Sequence, residues 1–244
     1  MDYQQRIVNK RIIGLIVLGL FLIGFAVSQM QLMPSRERKA LEAIYRSSGH
    51  DSWVQRDRWM SIWSMCTWGG VKCDGNRVVD LRLYLWGDLP PEIGQLTELQ
   101  VLVIGGTTRI PPEITQLANL QELYLWDNEL TALPLEVYQL TSLRELYVTS
   151  NQLTSLPPEI GKLTNLRYLY LYTNKLTKLP AEIGQLANLR VLLLNDNQLT
   201  ALPPEIGQLT ALRKLDVSDN PLTGISQEIC SLPDVEILPP DLCP

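Results

Sequence analysis

Histidine is almost missing from this sequence, since His50 is the only one among 244 residues. A Ser–His or Cys–His nucleophilic centre would have to be built on that single residue. The chain also lacks G-x-S-x-G, H-E-x-x-H and a glycine-rich phosphate loop, which are the local signatures of hydrolases, zinc proteases and nucleotide-binding enzymes. These absences predict a protein that is not an enzyme and that needs no cofactor or metal ion.

An excess of basic residues is missing as well. The chain has 21 Lys and Arg against 26 Asp and Glu, a formal net charge of −5, and a pI of about 5.0. Nucleic-acid binding usually needs a basic stripe, so we expect no nucleic-acid partner. Arginines and glutamates each recur in a row, which we interpret as solvated faces, with binding of phosphate or another polyanion as the alternative. The rows are Arg144, Arg167, Arg190 and Arg213, and Glu136, Glu159, Glu182 and Glu205.

Leucine, by contrast, recurs with a fixed period of 23 residues. In the unit Leu166–Asn188 the first half alternates leucines as a strand with one buried face does, and the second half returns the chain on the outer side. Stacked units bury the leucines that one unit cannot, which contributes about 10 to 20 kcal/mol per unit before conformational entropy is subtracted. The period therefore predicts a self-supporting α/β solenoid. Its units open at Leu120, Leu143, Leu166, Leu189 and Leu212.

Asparagines and prolines recur with the same period, and we assign both to the scaffold. A buried amide at the bend after each strand can bond the backbone groups that the bend frees. A proline fixes φ where the outer segment begins and cannot belong to a central strand. These residues are Asn128, Asn151, Asn174, Asn197 and Asn220, and Pro134, Pro157, Pro180 and Pro203.

The first 33 residues have a different composition from the repeats. Arg6, Lys10 and Arg11 precede an uncharged apolar run from Ile12 to Val27. This run is intermediate in length between the core of a signal peptide and a membrane span of about 20 residues. A cleaved signal peptide and a single-pass membrane anchor both remain open. Either one predicts that the rest of the chain is extracytoplasmic, membrane-anchored or secreted.

Four cysteines are placed near the two ends of the repeats. Only one arrangement of the disulfides does not have to span the length of the repeats, and it has one disulfide in each terminal cap. It pairs Cys66 with Cys73 and Cys230 with Cys243. An even count behind an export signal favours oxidised thiols. A helix with Ala40, Leu41 and Ile44 on one side, followed by four tryptophans, predicts an apolar cap over the first repeat. The tryptophans are Trp53, Trp59, Trp63 and Trp68.

Two motifs carry a resemblance to a known family. The segment CTWGGVKC resembles the C-x-W-x-G-V-x-C motif of the plant-type leucine-rich repeat N-terminal cap. Residues 120–234 are similar to the LPxEIGxLTNL repeats of Ras-group-type and bacterial leucine-rich repeat proteins. The absence of any N-x-S/T sequon is unusual for a plant ectodomain and favours a bacterial or unglycosylated context. The first motif is matched by Cys66, Trp68, Gly70, Val71 and Cys73.

The resemblance implies a horseshoe-shaped, right-handed solenoid with a parallel β-sheet on its concave face and a role in binding proteins or glycans. The first two coils, Val78–Glu98 and Leu99–Asn119, are 21 residues long and lack the recurring asparagine. The expected organisation is a signal peptide or anchor at 1–33, an N-terminal cap at 34–77, seven leucine-rich repeats at 78–234 and a C-terminal cap at 235–244.

An aromatic patch on the concave face is the predicted ligand-binding site. Neighbouring strands lie about 4.8 Å apart, so Tyr124, Tyr147 and Tyr170 should stack across three coils. Exposed tyrosine and tryptophan side chains are typical anchors of binding interfaces. We expect a protein or glycan partner, and a structural or self-associating envelope protein without a defined ligand is the alternative. The predicted ligand-binding residues are Tyr124, Trp126, Tyr147, Tyr168, Tyr170 and Tyr172.

Overall fold

The structure, a computed structural model, describes residues 35–48, 65–85 and 87–243. The predicted signal peptide or membrane anchor at 1–33 lies outside the described residues, as do Trp53, Trp59 and Trp63. Among the residues that are described, no helix has the length and apolar character needed to cross a bilayer.

One sheet of nine strands runs through the described part of the chain, with the strands side by side in chain order. Strands β2 to β9 are parallel, and β1 pairs with β2 in the antiparallel direction. The strands are β1 (Val71–Asp74), β2 (Arg77–Tyr84), β3 (Val101–Gly105), β4 (Glu122–Tyr124), β5 (Glu145–Tyr147), β6 (Tyr168–Tyr170), β7 (Val191–Leu193), β8 (Lys214–Asp216) and β9 (Glu236–Leu238).

Between β2 and β8, short 3₁₀ helices return the chain from each strand to the next. The prolines of the Leu-Pro pairs stand directly before them, for example Pro180 with φ −75° before Ala181–Gln185, which confirms their predicted place at the start of the outer segment. These outer helices are Pro91–Gln95, Pro112–Gln116, Leu135–Gln139, Pro158–Lys162, Ala181–Gln185 and Pro204–Gln208. Two more lie in the terminal segments, at Met65–Thr67 and Pro240–Leu242.

The core is a continuous column of leucine and isoleucine between the sheet and the outer helices. Each coil adds one layer to this column, so neighbouring coils bury each other's apolar side chains. The predicted α/β leucine-rich solenoid is therefore confirmed. In the unit that begins at Leu166, every residue predicted to point inward is buried: Leu166, Leu169, Leu171, Leu176, Leu179, Ile183 and Leu186.

The recurring asparagines bond the backbone at the bend after each strand, as predicted. The Asn174 Nδ2 donates to the carbonyls of Val148 at 2.7 Å and Leu171 at 3.0 Å. Its Oδ1 accepts from the Leu153 amide at 3.0 Å. Each amide therefore joins its own coil to the one before it. The same pattern is repeated at Asn151, Asn197 and Asn220.

The residue before each of these asparagines has a left-handed backbone. Thr173 has φ 55°, and Asp196 has φ 56°. Side-chain alternation places these residues on the concave face and does not reveal this backbone conformation, which aspartate tolerates far better than a β-branched residue does. The residues concerned are Asp127, Ser150, Thr173, Asp196 and Asp219.

Two terminal segments cover the ends of the column. Helix α1 (Ser35–Ser47) buries Ala40, Leu41 and Ile44 against it, as predicted. Its Glu37 is buried, pairs with Arg77 and accepts a hydrogen bond from the Val78 amide at 2.9 Å, which attaches the helix to β2. Trp68 is also buried in this core. Helix α2 (Gln227–Cys230) and β9 lie at the other end.

Both expected disulfides are formed. Cys66 is bonded to Cys73 within β1, and Cys230 at the end of α2 is bonded to Cys243. The first bond closes a short loop before the repeats, and the second joins the last repeat to the C-terminal segment. The described cysteines include no free thiol.

Candidate functional site

The concave face presents parallel rows of side chains that cross the strands. In the central row, the strand register places Tyr124 opposite Tyr147, and Tyr147 opposite Tyr170. The row continues to Val103 on one side and Leu193 on the other. Apolar and aromatic groups therefore line five consecutive strands along the middle of the face.

The three tyrosines form a continuous stack, as the repeat predicts. The ring centroids of Tyr124 and Tyr147 are 4.2 Å apart, and those of Tyr147 and Tyr170 are 4.1 Å apart. The planes differ by only 16° and 10°. We call these three residues the tyrosine stack. Because Tyr147 has a ring against each of its faces, it offers a partner only its ring edge and hydroxyl.

Two carboxylates are held against the tyrosine stack. The Tyr124 hydroxyl shares its proton between Glu122 Oε2 at 3.1 Å and Glu145 Oε2 at 3.2 Å. The Tyr147 hydroxyl donates to the same Glu145 oxygen at 3.1 Å. These hydrogen bonds hold the carboxylates of Glu122 and Glu145 in place in the absence of a partner. A partner that binds them therefore pays a lower entropy cost.

The surroundings of Tyr124 and Tyr147 keep the hydroxyls of these two residues protonated. Burial raises the pKa of Tyr124, and the negative charges of Glu145 and Glu122 add to this rise. Burial and a hydrogen bond with Tyr170 raise the pKa of Tyr147. The hydroxyls therefore act as hydrogen-bond donors at neutral pH and supply no phenolate nucleophile.

The other three predicted site residues lie around the stack. The rings of Tyr168 and Tyr170 are nearly parallel with centroids 6.4 Å apart, and Tyr168 occupies on β6 the position that Glu145 occupies on β5. Trp126 and Tyr172 belong to the next row, where the buried Thr149 separates them. Trp126 is the more accessible of the two, with 38% of its surface exposed.

Tyr84 also belongs to this surface, although it is not among the predicted site residues. Its ring lies 6.5 Å from that of Trp126, and it covers Gly105, where an added Cβ would be 2.6 Å from the Tyr84 ring. The alternation of leucine with other residues in the segment DLRLY places Tyr84 on the concave face. Its coil has 21 residues, so Tyr84 does not follow the 23-residue period of the other tyrosines. Tyr84, Trp126 and Tyr124 line an open cleft of about 570 Å³ together with Gly70, Arg82, Leu83 and Val103.

The charge of the concave face is predominantly negative. Its basic side chains are already paired, since Arg82 binds Asp80 in a bidentate contact of 2.9 and 3.1 Å and Lys214 lies 3.4 Å from Glu236. The hydrogen bond to Asp80 also raises the pKa of Arg82. The unpaired charges that remain on the face are carboxylates, so its electrostatic potential favours a cationic partner. They include Glu122, Glu145, Asp127, Asp196 and Asp219.

Comparisons with known proteins agree with this geometry. Residues 151–240 match the family described as leucine-rich repeat region, and residues 118–176 match the family described as leucine rich repeat. A solved plant ice-binding protein is 31% identical with a TM-score of 0.72, over 81% of this chain and 67% of that one. The chain belongs to the leucine-rich repeat proteins.

Two further solved structures are similar over part of their length. A leucine-rich repeat protein of Leptospira interrogans is 42% identical with a TM-score of 0.60, over 62% of this chain and 39% of its own. The plant peptide hormone receptor RGFR1, solved in complex with RGF2, is 30% identical with a TM-score of 0.58, over 73% of this chain and 37% of its own. The chain thus spans well under half the length of either protein.

Proposed function

We propose that this protein is a non-catalytic, extracytoplasmic binding module whose concave face, carried by the repeats at 78–234, recognises an extended basic segment of another protein. The tyrosine stack with its two prepositioned carboxylates is the observation that carries the proposal. A flat aromatic strip supplies contact area at low entropy cost, and the flanking carboxylates select positively charged side chains.

The same geometry favours a protein partner over a glycan. A sugar ring packs on an aromatic face, but both faces of Tyr147 are covered by its neighbours in the stack. A peptide backbone and its lysine or arginine side chains can instead use the hydroxyl edge and the carboxylates of Glu122 and Glu145. The similarity to a peptide hormone receptor supports a peptide-like ligand, and the two disulfides support an oxidising compartment.

The test compares binding of peptide and glycan arrays by the purified full chain in mild detergent. We expect basic peptides to be selected, and Tyr147→Ala/Tyr170→Ala to weaken their binding by about tenfold or more. Glu122→Gln/Glu145→Gln should weaken it similarly and remove most of its salt dependence. Thr154→Ala/Thr177→Ala, on an exposed surface of neighbouring coils, is the matched control. Binding of glycans without peptides, or binding that neither concave-face variant changes, would contradict the proposal.

A row of exposed threonines favours a second candidate function, which is binding to ice. Threonines recur on five successive coils one strand spacing apart, about 4.8 Å. The residue after the threonine is small in four of the five coils, and Lys178 is the exception. A plant ice-binding protein is among the similar structures. Inhibition of ice recrystallisation by the full chain, lost in Thr154→Lys/Thr177→Lys, is the expected result, and no inhibition by the wild type rejects this candidate. The row consists of Thr131, Thr154, Thr177, Thr200 and Thr223.

A further inference from the structure

A row of arginines lies along the edge of the sheet where strands β5 to β8 begin. Arg144, Arg167, Arg190 and Arg213 each directly precede one of these strands. Their backbones form a hydrogen-bonded ladder, in which the amide of each arginine donates to the carbonyl of the arginine before it at 2.8 Å. The four side chains therefore leave the backbone one strand spacing apart, about 4.8 Å.

The charges of this row are not neutralised within the described part of the protein. Among the described residues, no carboxylate lies within 4.0 Å of any of the four guanidinium groups. Arg213 turns back and donates to the Leu212 carbonyl at 2.7 Å. Arg144, Arg167 and Arg190 are exposed. Like charges at this spacing repel one another, and an anion bound between them would relieve that repulsion.

A polar groove lies beside the first two of these arginines, Arg144 and Arg167. It has a volume of about 280 Å³. The side-chain amides of Asn165 and Asn188 are fixed in its lining, because they donate to the carbonyls of Thr141 at 2.9 Å and Thr164 at 2.8 Å. The groove is lined by Asn119, Gln121, Ser142, Arg144, Asn165, Arg167 and Asn188.

We propose that this arginine groove is a second binding site, independent of the concave face, and that it takes a linear anionic polysaccharide. Guanidinium groups bind carboxylate or sulfate in a bidentate manner. The neutral amides and the Ser142 hydroxyl between them suit sugar hydroxyls. The groove lining contains no aromatic side chain, so it lacks the stacking surface that single-stranded nucleic acids use. A repeating polymer also matches a site that repeats from coil to coil.

The experiment measures binding of the full chain, in mild detergent and at low salt, to four probes. These are polygalacturonate, dextran sulfate, uncharged dextran and a single-stranded homopolymer of DNA. We expect the two anionic polysaccharides to bind and the uncharged dextran to fail. Raising the salt concentration should weaken this binding, because it rests on exposed charges. Arg144→Gln/Arg167→Gln/Arg190→Gln should weaken it by at least about tenfold.

The matched control removes three positive charges from the same part of the solenoid but on another surface. Lys162→Gln/Lys175→Gln/Lys178→Gln changes the net charge equally, and all three lysines are exposed. It should leave binding of the anionic polysaccharides within about twofold of wild type. Both variants should have the same thermal unfolding midpoint as the wild type, which checks that their fold is intact. Equal loss of binding in both variants, no binding by the wild type, or equally tight binding of the DNA would overturn the proposal.

Discussion

The second 21-residue coil and the five 23-residue coils that follow it make the same bend with different chemistry. In the 21-residue coil that contains β3, Gly106 takes the left-handed position with φ 76°, and Thr107 follows it. In the 23-residue coils, an aspartate, serine or threonine takes that position, and the recurring asparagine follows it. The bend therefore needs one left-handed residue in either case, but only the longer coils add a side-chain amide that joins each coil to the one before it.

The two kinds of coil meet at Asn128. Its Oδ1 accepts from the Thr107 amide at 2.6 Å, and its Nδ2 donates to the Ile104 carbonyl at 3.1 Å. Thr107 is itself buried and its hydroxyl donates only to the Arg109 carbonyl at 3.0 Å. The second coil thus receives the asparagine bonds of its neighbour without supplying any. Its own bend depends on Gly106 and on tight backbone packing.

Loss of one recurring asparagine should have the largest effect on stability. Asn174→Ala removes four hydrogen bonds and leaves buried backbone groups on two coils without their side-chain partner. Each stranded group costs about 1 to 3 kcal/mol, so we expect the free energy of unfolding in urea to fall by about 3 kcal/mol or more. Thr107→Val, which removes one hydroxyl, should cost about 1 kcal/mol.

Asn188→Ala is the matched control for this prediction. Asn188 is exposed, and its amide makes one hydrogen bond, to the Thr164 carbonyl. Its loss should cost under about 1 kcal/mol. If Asn174→Ala and Asn188→Ala destabilise the protein equally, the hydrogen bonds of the recurring asparagines do not hold neighbouring coils together.

An alanine at the left-handed bend residue should destabilise the two kinds of coil by different amounts. Both losses should be smaller than that of Asn174→Ala. A Cβ on Gly106 would lie 2.0 Å from the Leu85 carbonyl oxygen, which belongs to the backbone and cannot move aside cheaply. Gly106→Ala should therefore cost about 2 to 3 kcal/mol through strain and clash. Asp196→Ala places alanine at φ 56°, where aspartate is already accommodated, and should cost less than about 1 kcal/mol. Equal urea midpoints for both variants would contradict this difference.

The sequence predicted the parts of the fold that depend on a period. The 23-residue spacing predicts the buried leucines, the recurring asparagines and the prolines that stand directly before the outer helices. It does so because each coil repeats the environment of the previous one. The antiparallel strand β1 belongs to no repeat and was not predicted. Neither was the left-handed backbone at Thr173, since side-chain alternation carries no information about the sign of φ.

The candidate site was predictable in outline for the same reason. Equal spacing placed Tyr124, Tyr147 and Tyr170 opposite one another, and the ring distances confirm that they stack. What the spacing could not reveal is which surfaces the stack leaves free, because this depends on ring orientation. The bonds from the hydroxyls to Glu122 and Glu145 depend on side-chain torsions in the same way, so these contacts could be seen only in the structure.

The smallest expected effect concerns the one β-branched residue among the bends of the 23-residue coils. Thr173 is held at φ 55°, a region in which asparagine is several-fold enriched and β-branched residues are outliers. Its side chain is exposed, so Thr173→Asn changes little besides the backbone preference. We expect this variant to raise the free energy of unfolding by about 0.5 to 1 kcal/mol. Asp196→Asn, at a bend already occupied by a suitable residue, should leave the urea midpoint unchanged. A less stable Thr173→Asn variant would mean that the threonine side chain stabilises its bend by more than the strain costs.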